Sequence, residues 1–137
     1  MKRLLLAFVA GFLATLIFHQ PVLWLFHHAG MTPRAPYNME AVPPLGVPAV
    51  ISLAFWGGVW GIIMIPIIAR IRSNAMYWIS AIVFGAIFPT LVAVFVVSPL
   101  KHTPVPHSPS MAALGLSVNG AWGLGTALFF RLFARSR

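Results

Sequence analysis

VPAVISLAFWGGVWGIIMIPIIA, residues 47–69, runs from end to end without a charged side chain. Crossing a hydrocarbon core about 30 Å thick takes roughly 20 helical residues at about 1.5 Å each. Backbone groups in hydrocarbon find no water, so a run of this length must satisfy its own hydrogen bonds as a helix. Three more such runs flank it, Leu4 to Phe26, Ala75 to Ser98 and Met111 to Phe130. The sequence therefore predicts an all-α integral membrane protein. It would be one membrane domain over residues 1–137, with four transmembrane helices at about 4–26, 47–69, 75–98 and 111–130.

Composition agrees. Of 137 residues, 60% are hydrophobic and only 7% charged, against about 25% charged in soluble domains. Nine Lys and Arg face a single acid, Glu40, for a net charge of +8. These cations sit at the ends of apolar runs, not in a stripe interleaved with aromatics. That placement suits anionic head groups and membrane insertion and gives no reason to expect a nucleic-acid partner. Lys2, Arg3, Arg70, Arg72, Arg131, Arg135 and Arg137 fall on one side, and only Arg34 and Lys101 on the other. Positive loops stay in the cytoplasm. Both termini and the turn at 70–74 are thus expected inside, with outer loops at 27–46 and 99–110. The first run is expected to stay uncleaved, since it exceeds a signal core and ends in Leu23-Trp24-Leu25-Phe26-His27-His28 without small residues at a cleavage site.

Nine of the twelve prolines lie in or beside the outer loops, which are expected to be extended and semi-rigid. Pro21, Pro66 and Pro89 fall inside helices, where each removes a backbone hydrogen bond. Small residues four apart recur in every helix: Ala7 and Gly11, Gly57 and Gly61, Ala81 and Gly85, Ala121 and Gly125. Such pairs let helix backbones approach closely, the main source of helix association in lipid. Gly58-Val59-Trp60-Gly61 resembles Gly120-Ala121-Trp122-Gly123 at an offset of 62, and Gly11 and His28 match Gly85 and His102 at an offset of 74. This suggests two repeated helical hairpins related by an axis along the membrane normal.

Few residues could carry chemistry. There is no Cys and no Asp, and the one Glu lies in a loop. Thiolate chemistry, paired-carboxylate catalysis and carboxylate-driven ion coupling within one chain are excluded. No P-loop, HExxH or GxSxG pattern occurs. No catalytic residue is assigned and no enzyme is expected. His27, His28, His102 and His107 gather toward the outer side with Met31, Met39, Met111 and Glu40. Imidazole with thioether suits copper and imidazole alone suits zinc, so these four histidines are the candidate metal ligands. A pH-responsive cluster, or histidines that simply bridge apolar and wet surroundings, are the other readings. His19 lies within the first apolar run, one turn from Thr15, and Asn119 falls at a similar depth in the fourth. An intramembrane polar group needs a partner, and a His19–Asn119 or His19–Thr15 bond is expected. Trp56, Trp60 and Trp122, flanked by glycines, suit large-into-small packing or a shelf for a planar cofactor.

Phe18-His19-Gln20, Pro33-Arg34-Ala35-Pro36-Tyr37-Asn38-Met39, and Pro43-Pro44-Leu45-Gly46-Val47-Pro48 followed by Phe55-Trp56-Gly57-Gly58 resemble a group of small, uncharacterised four-helix inner-membrane proteins of Gram-negative bacteria. The resemblance covers mainly the first half. It implies an inner-membrane location and carries no activity. Two functions stay open. One is a non-catalytic accessory or assembly protein whose partners are the lipid bilayer and another membrane protein or a second copy. The other is a small transporter, channel or metal-handling protein with a His- and Met-rich periplasmic mouth, for which copper or zinc would be the ion.

Overall fold

The computed structural model describes residues 1–104 and 108–135 and is 77% helical. Helices α1 (Lys2–His28), α2 (Ala49–Ile68), α3 (Asn74–Leu100) and α4 (Pro109–Arg135) are each long and apolar enough to cross a membrane. Between α1 and α2 the strands β1 (Ala41–Val42) and β2 (Val47–Pro48) pair antiparallel, Ala41 opposite Pro48 and Val42 opposite Val47. Gly46, at φ +69°, supplies the left-handed backbone of the turn between them.

Helix ends follow local chemistry. The Ser73 hydroxyl accepts the Met76 N–H at 3.4 Å and caps the start of α3. At the end of α1, Met31 N–H donates to the Phe26 carbonyl and Gly30 N–H to that of His27, with Gly30 left-handed at φ +71°. At the end of α3, Thr103 N–H donates to Ser98 and His102 N–H to Pro99, with His102 at φ +53°. Both are Schellman closures. The helices therefore run past the expected boundaries: His27 and His28 belong to α1 and Pro99 to α3, not to the outer loops. Hydropathy locates only the apolar centre of a helix, whereas its end waits for a residue that can turn left-handed.

The helices alternate in direction and form two hairpins, α1 with α2 and α3 with α4, joined by α1 against α4; α2 and α3 touch much less. The two hairpins cross through equivalent contacts. A Cβ on Gly61 would strike the Ala7 carbonyl and the Gly11 Cα, and one on Gly123 would strike the Ala81 carbonyl and the Gly85 Cα. A Cβ on Gly11 would meet the Gly57 carbonyl, and one on Gly85 the Asn119 carbonyl. Gly123 thus makes the backbone contact expected of the Ala121 and Gly125 pair, while Gly125 instead receives the Phe18 ring of α1. Spacing alone cannot tell which of several small pairs faces the partner helix.

Small residues line the helix contacts, large apolar ones such as Met64, Ile68, Trp122 and Phe130 fill the remaining interior, and many more large apolar side chains lie on the exterior. Ala7, Ala10, Ala14, Ala54, Ala81, Ala127, Thr15 and Thr126 are buried, whereas Ile63, Ile67, Ile87, Phe88, Leu91 and Phe95 are exposed. The most apolar helix, α3, is also the least covered, and the least apolar, α4, the most.

Gly61→Ala and Gly123→Ala should each lower stability by about 1–3 kcal/mol through overpacking, and the Leu variants by more. Thermal unfolding in detergent reads this, and an unchanged midpoint in both Leu variants contradicts the backbone contacts described.

Candidate functional site

Proline at 21 sets up the most elaborate polar arrangement in the chain. Over Thr15–His19 the helix widens to i→i+5 bonding, and the Gln20 N–H donates to the Thr15 carbonyl. In that register the next donor would be residue 21, reaching Leu16, but proline has no N–H. The orphaned Leu16 carbonyl instead accepts the Tyr37 hydroxyl of the outer loop at 2.7 Å. The buried Gln20 amide completes the link. Its oxygen accepts the Tyr37 N–H at 2.7 Å, leaving its nitrogen to donate to His19 Nδ1 at 3.3 Å. Tyr37 takes this position at φ +51°. Below it, Asn38 Oδ1 accepts the Glu40 N–H at 2.8 Å, and the Asn38 and Glu40 carbonyls accept the first N–H groups of α2, from Val50 and Ala49. The outer loop is therefore strapped to the ends of both α1 and α2. Widened helical turns of this kind gather at functional positions.

His19 is buried, and its bond runs to the neighbouring Gln20, not to Asn119 or Thr15. Asn119 donates from Nδ2 to the Thr90 hydroxyl of α3 at 2.8 Å. Thr15 donates to the Gly11 carbonyl of its own helix at 3.1 Å. That carbonyl also accepts Trp122 Nε1–H from α4 at 3.0 Å, and Thr126 donates to the Trp122 carbonyl at 2.8 Å. The expected His19–Asn119 and His19–Thr15 bonds do not form: His19 and Thr15 bond within α1, and Asn119 bonds α3. Among the described residues no buried side-chain nitrogen or oxygen lacks a hydrogen bond.

His27 and His28 are ring neighbours, their centroids 5.8 Å apart. His27 Nδ1 bonds the Thr32 carbonyl at 3.0 Å and His28 Nδ1 the Trp24 carbonyl at 3.1 Å. A carbonyl only accepts, so both rings carry their proton on Nδ1. His28 also stacks on Trp24, ring centroids 4.0 Å apart. His102 occupies the left-handed position that closes α3, and His107 lies outside the described residues. Among those residues no three His, Asp or Glu side chains come together as metal ligands. Of the expected copper or zinc ligands His27, His28, His102 and His107, the first two are neighbours with Nδ1 committed to carbonyls, and among the described residues His102 does not join them in a three-ligand cluster. Trp122 serves as a hydrogen-bonded core residue. Trp60 meets the Phe84 ring edge-on at 6.2 Å, while Trp56 is exposed.

Sequence reasoning missed Gln20, Tyr37, Thr90 and Thr126. Only Gln20 left a signal, an amide beside a proline inside an apolar run. Comparison with known protein families, with characterised proteins and with solved structures finds no match for this chain.

Tyr37→Phe should cost about 0.5–1.5 kcal/mol, the net worth of the exposed bond to the Leu16 carbonyl that it removes. Amide exchange in residues 29–48 should rise in that variant and in Gln20→Leu; unaltered exchange in both would refute the strap. His102→Gly should raise stability by about 1 kcal/mol by removing the left-handed penalty, checked by thermal unfolding, and a loss of stability would contradict a capping role.

Proposed function

We propose that this chain is a four-span, non-catalytic protein of the inner membrane of a Gram-negative bacterium, with both termini in the cytoplasm, acting as an accessory or assembly partner of another membrane component. The observation that carries the reading is the division of labour between interior and exterior. Among the described residues every buried side-chain nitrogen and oxygen is hydrogen-bonded, mostly to backbone carbonyls, and small residues close the helix contacts, a packing that favours a structural role over a transport path. Many large apolar side chains, among them Ile63, Ile67, Phe88, Leu91 and Phe95, are exposed, the arrangement lipid or a membrane partner would favour.

Orientation is supported by charge. Lys2, Arg3, Arg70, Arg72, Arg131 and Arg135 share one end of the bundle, where Arg3 and Arg70 line a common cleft and Arg3 reaches the Phe130 ring of α4. Arg34 and Lys101 occupy the other end, which the positive-inside rule places outside. The bacterial inner-membrane location follows the resemblance of the first half. The strapped loop at 29–48 is then a shaped periplasmic surface, and the exposed flank of α3, with Phe88, Leu91 and Phe95, is the face offered to a partner within the bilayer.

The chain has no native cysteine, so single-cysteine variants report topology directly. Leu45→Cys should react with a membrane-impermeant maleimide in spheroplasts, and Ser73→Cys only after permeabilisation; the opposite pattern overturns the orientation. A photo-crosslinker at Leu91 or Phe95 should give one discrete protein adduct in intact cells. Lipid adducts alone at both positions would defeat the partner role.

A further inference from the structure

The two hairpins make the same crossing but finish it differently at their arginine-rich ends. Counting 74 residues from α1 to α3 and 62 from α2 to α4, Arg3 and Leu4 correspond to Tyr77 and Trp78, and Ala69 to Arg131. In the α3–α4 hairpin this end is filled. Tyr77 is buried and donates its hydroxyl to the Ala127 carbonyl at 3.0 Å. The Arg131 guanidinium lies 3.7 Å from the Tyr77 ring centroid and 5.0 Å from that of Trp78, and it donates to the Asn74 side-chain oxygen. In the α1–α2 hairpin, Leu4 and Ala69 replace the indole and the long cation. A cleft of about 300 Å³ remains, lined by Arg3, Leu4, Ala7, Ile65, Pro66, Ala69 and Arg70.

Arg3 and Arg70 thus both line one small cleft, and the Arg3 guanidinium, 5.9 Å from the Phe130 ring centroid, ends a flexible side chain. The sole acidic residue, Glu40, lies in the outer loop beside β1, at the other end of the bundle. Like charges brought together call for an anion, and the planar fork of arginine matches phosphate with paired hydrogen bonds. Leu4, Ile65 and Pro66 supply a wall suited to an acyl chain. Basic pockets between membrane helices on the cytoplasmic side are where anionic head groups bind.

We propose that the cleft between α1 and α2 binds one anionic phospholipid, with its phosphate between Arg3 and Arg70 and its acyl chain along Leu4, Ile65 and Pro66. This rests on the membrane-spanning reading given above. The bound lipid completes in the first hairpin what Tyr77, Trp78 and Arg131 complete in the second.

Native mass spectrometry of the full chain in a non-ionic detergent tests it, by titration with phosphatidylglycerol and with phosphatidylcholine of the same acyl chains. The wild type should retain one phosphatidylglycerol with roughly thirtyfold preference, the scale expected for two arginines beside a net-negative lipid at about 1 kcal/mol each. The double variant R3Q/R70Q should lose that preference. Leu4→Trp, which fills the cleft and keeps both charges, should lose it as well, and R135Q, outside the cleft, should keep it. Equal retention of the two lipids by the wild type overturns the site, and that comparison stands even if a variant fails to fold. An equal loss in R135Q overturns it too, because bulk charge would then explain the preference. Glycerol phosphate binding as tightly as the lipid would make it a free-phosphate site and overturn the lipid assignment. The membrane reading is tested separately by alkaline extraction of vesicles: release of the chain would defeat that reading whatever the lipid preference.

Discussion

The carbonyl oxygen of Gly11 is where the bundle is tied together. It accepts the Thr15 backbone N–H, the Thr15 hydroxyl and the indole N–H of Trp122, and it lies against the backbone of Gly57, where a Cβ would collide with it and with that indole nitrogen. One point thereby joins α1, α2 and α4. Interhelical hydrogen bonds in membranes contribute only about 0.6 kcal/mol each on average. The larger effect is geometric, because helices this close gain dispersion contacts along their length that a single side chain would prevent. Gly61 against Ala7 continues the seam in α1–α2, and Gly123 against Ala81 repeats it in α3–α4.

Closeness of this kind has a chemical consequence. With no room for water between backbones, each interior polar group needs a protein partner, and Thr15, Asn119, Trp122, Thr126 and Tyr77 all have one. The same rule governs the outer end of α1. Pro21 strips a donor from the helix, and Tyr37 restores it from the loop, which draws residues 29–48 down onto the helix ends. A defect in one element thus becomes the anchor of another.

The near-equivalence of the two hairpins makes their differences informative. The α1–α4 seam is packed and bonded through Trp122, whereas Trp60, its counterpart on α2, meets α3 through an aromatic contact with Phe84 and the α2–α3 seam stays thin. At the arginine-rich end one hairpin is closed by its own side chains and the other is left open beside two arginines. Both asymmetries leave surface uncovered on the outside of the bundle, in the flank of α3 and the cleft of α1–α2.

Four apolar helices, their direction along the chain and the side on which the cations collect were legible in the sequence, because helix length and charge placement answer to the bilayer and need no tertiary contact. The spacing of small residues four apart likewise led to the expectation of close backbones, and Gly11, Gly57, Gly61 and Gly85 lie at such contacts. Partner choice was not legible. His19, Thr15 and Asn119 were rightly singled out as polar groups in need of bonds, yet depth along a helix says nothing about the face a side chain occupies. Only packing decided that Asn119 meets Thr90, that Trp122 spans to Gly11, and that Gln20 holds Tyr37. Local geometry likewise placed the histidines: His27 and His28 stay ring neighbours, each bonded through Nδ1 to a nearby carbonyl, while His102 takes the left-handed turn that ends α3, and spacing along the chain discloses neither bond nor turn.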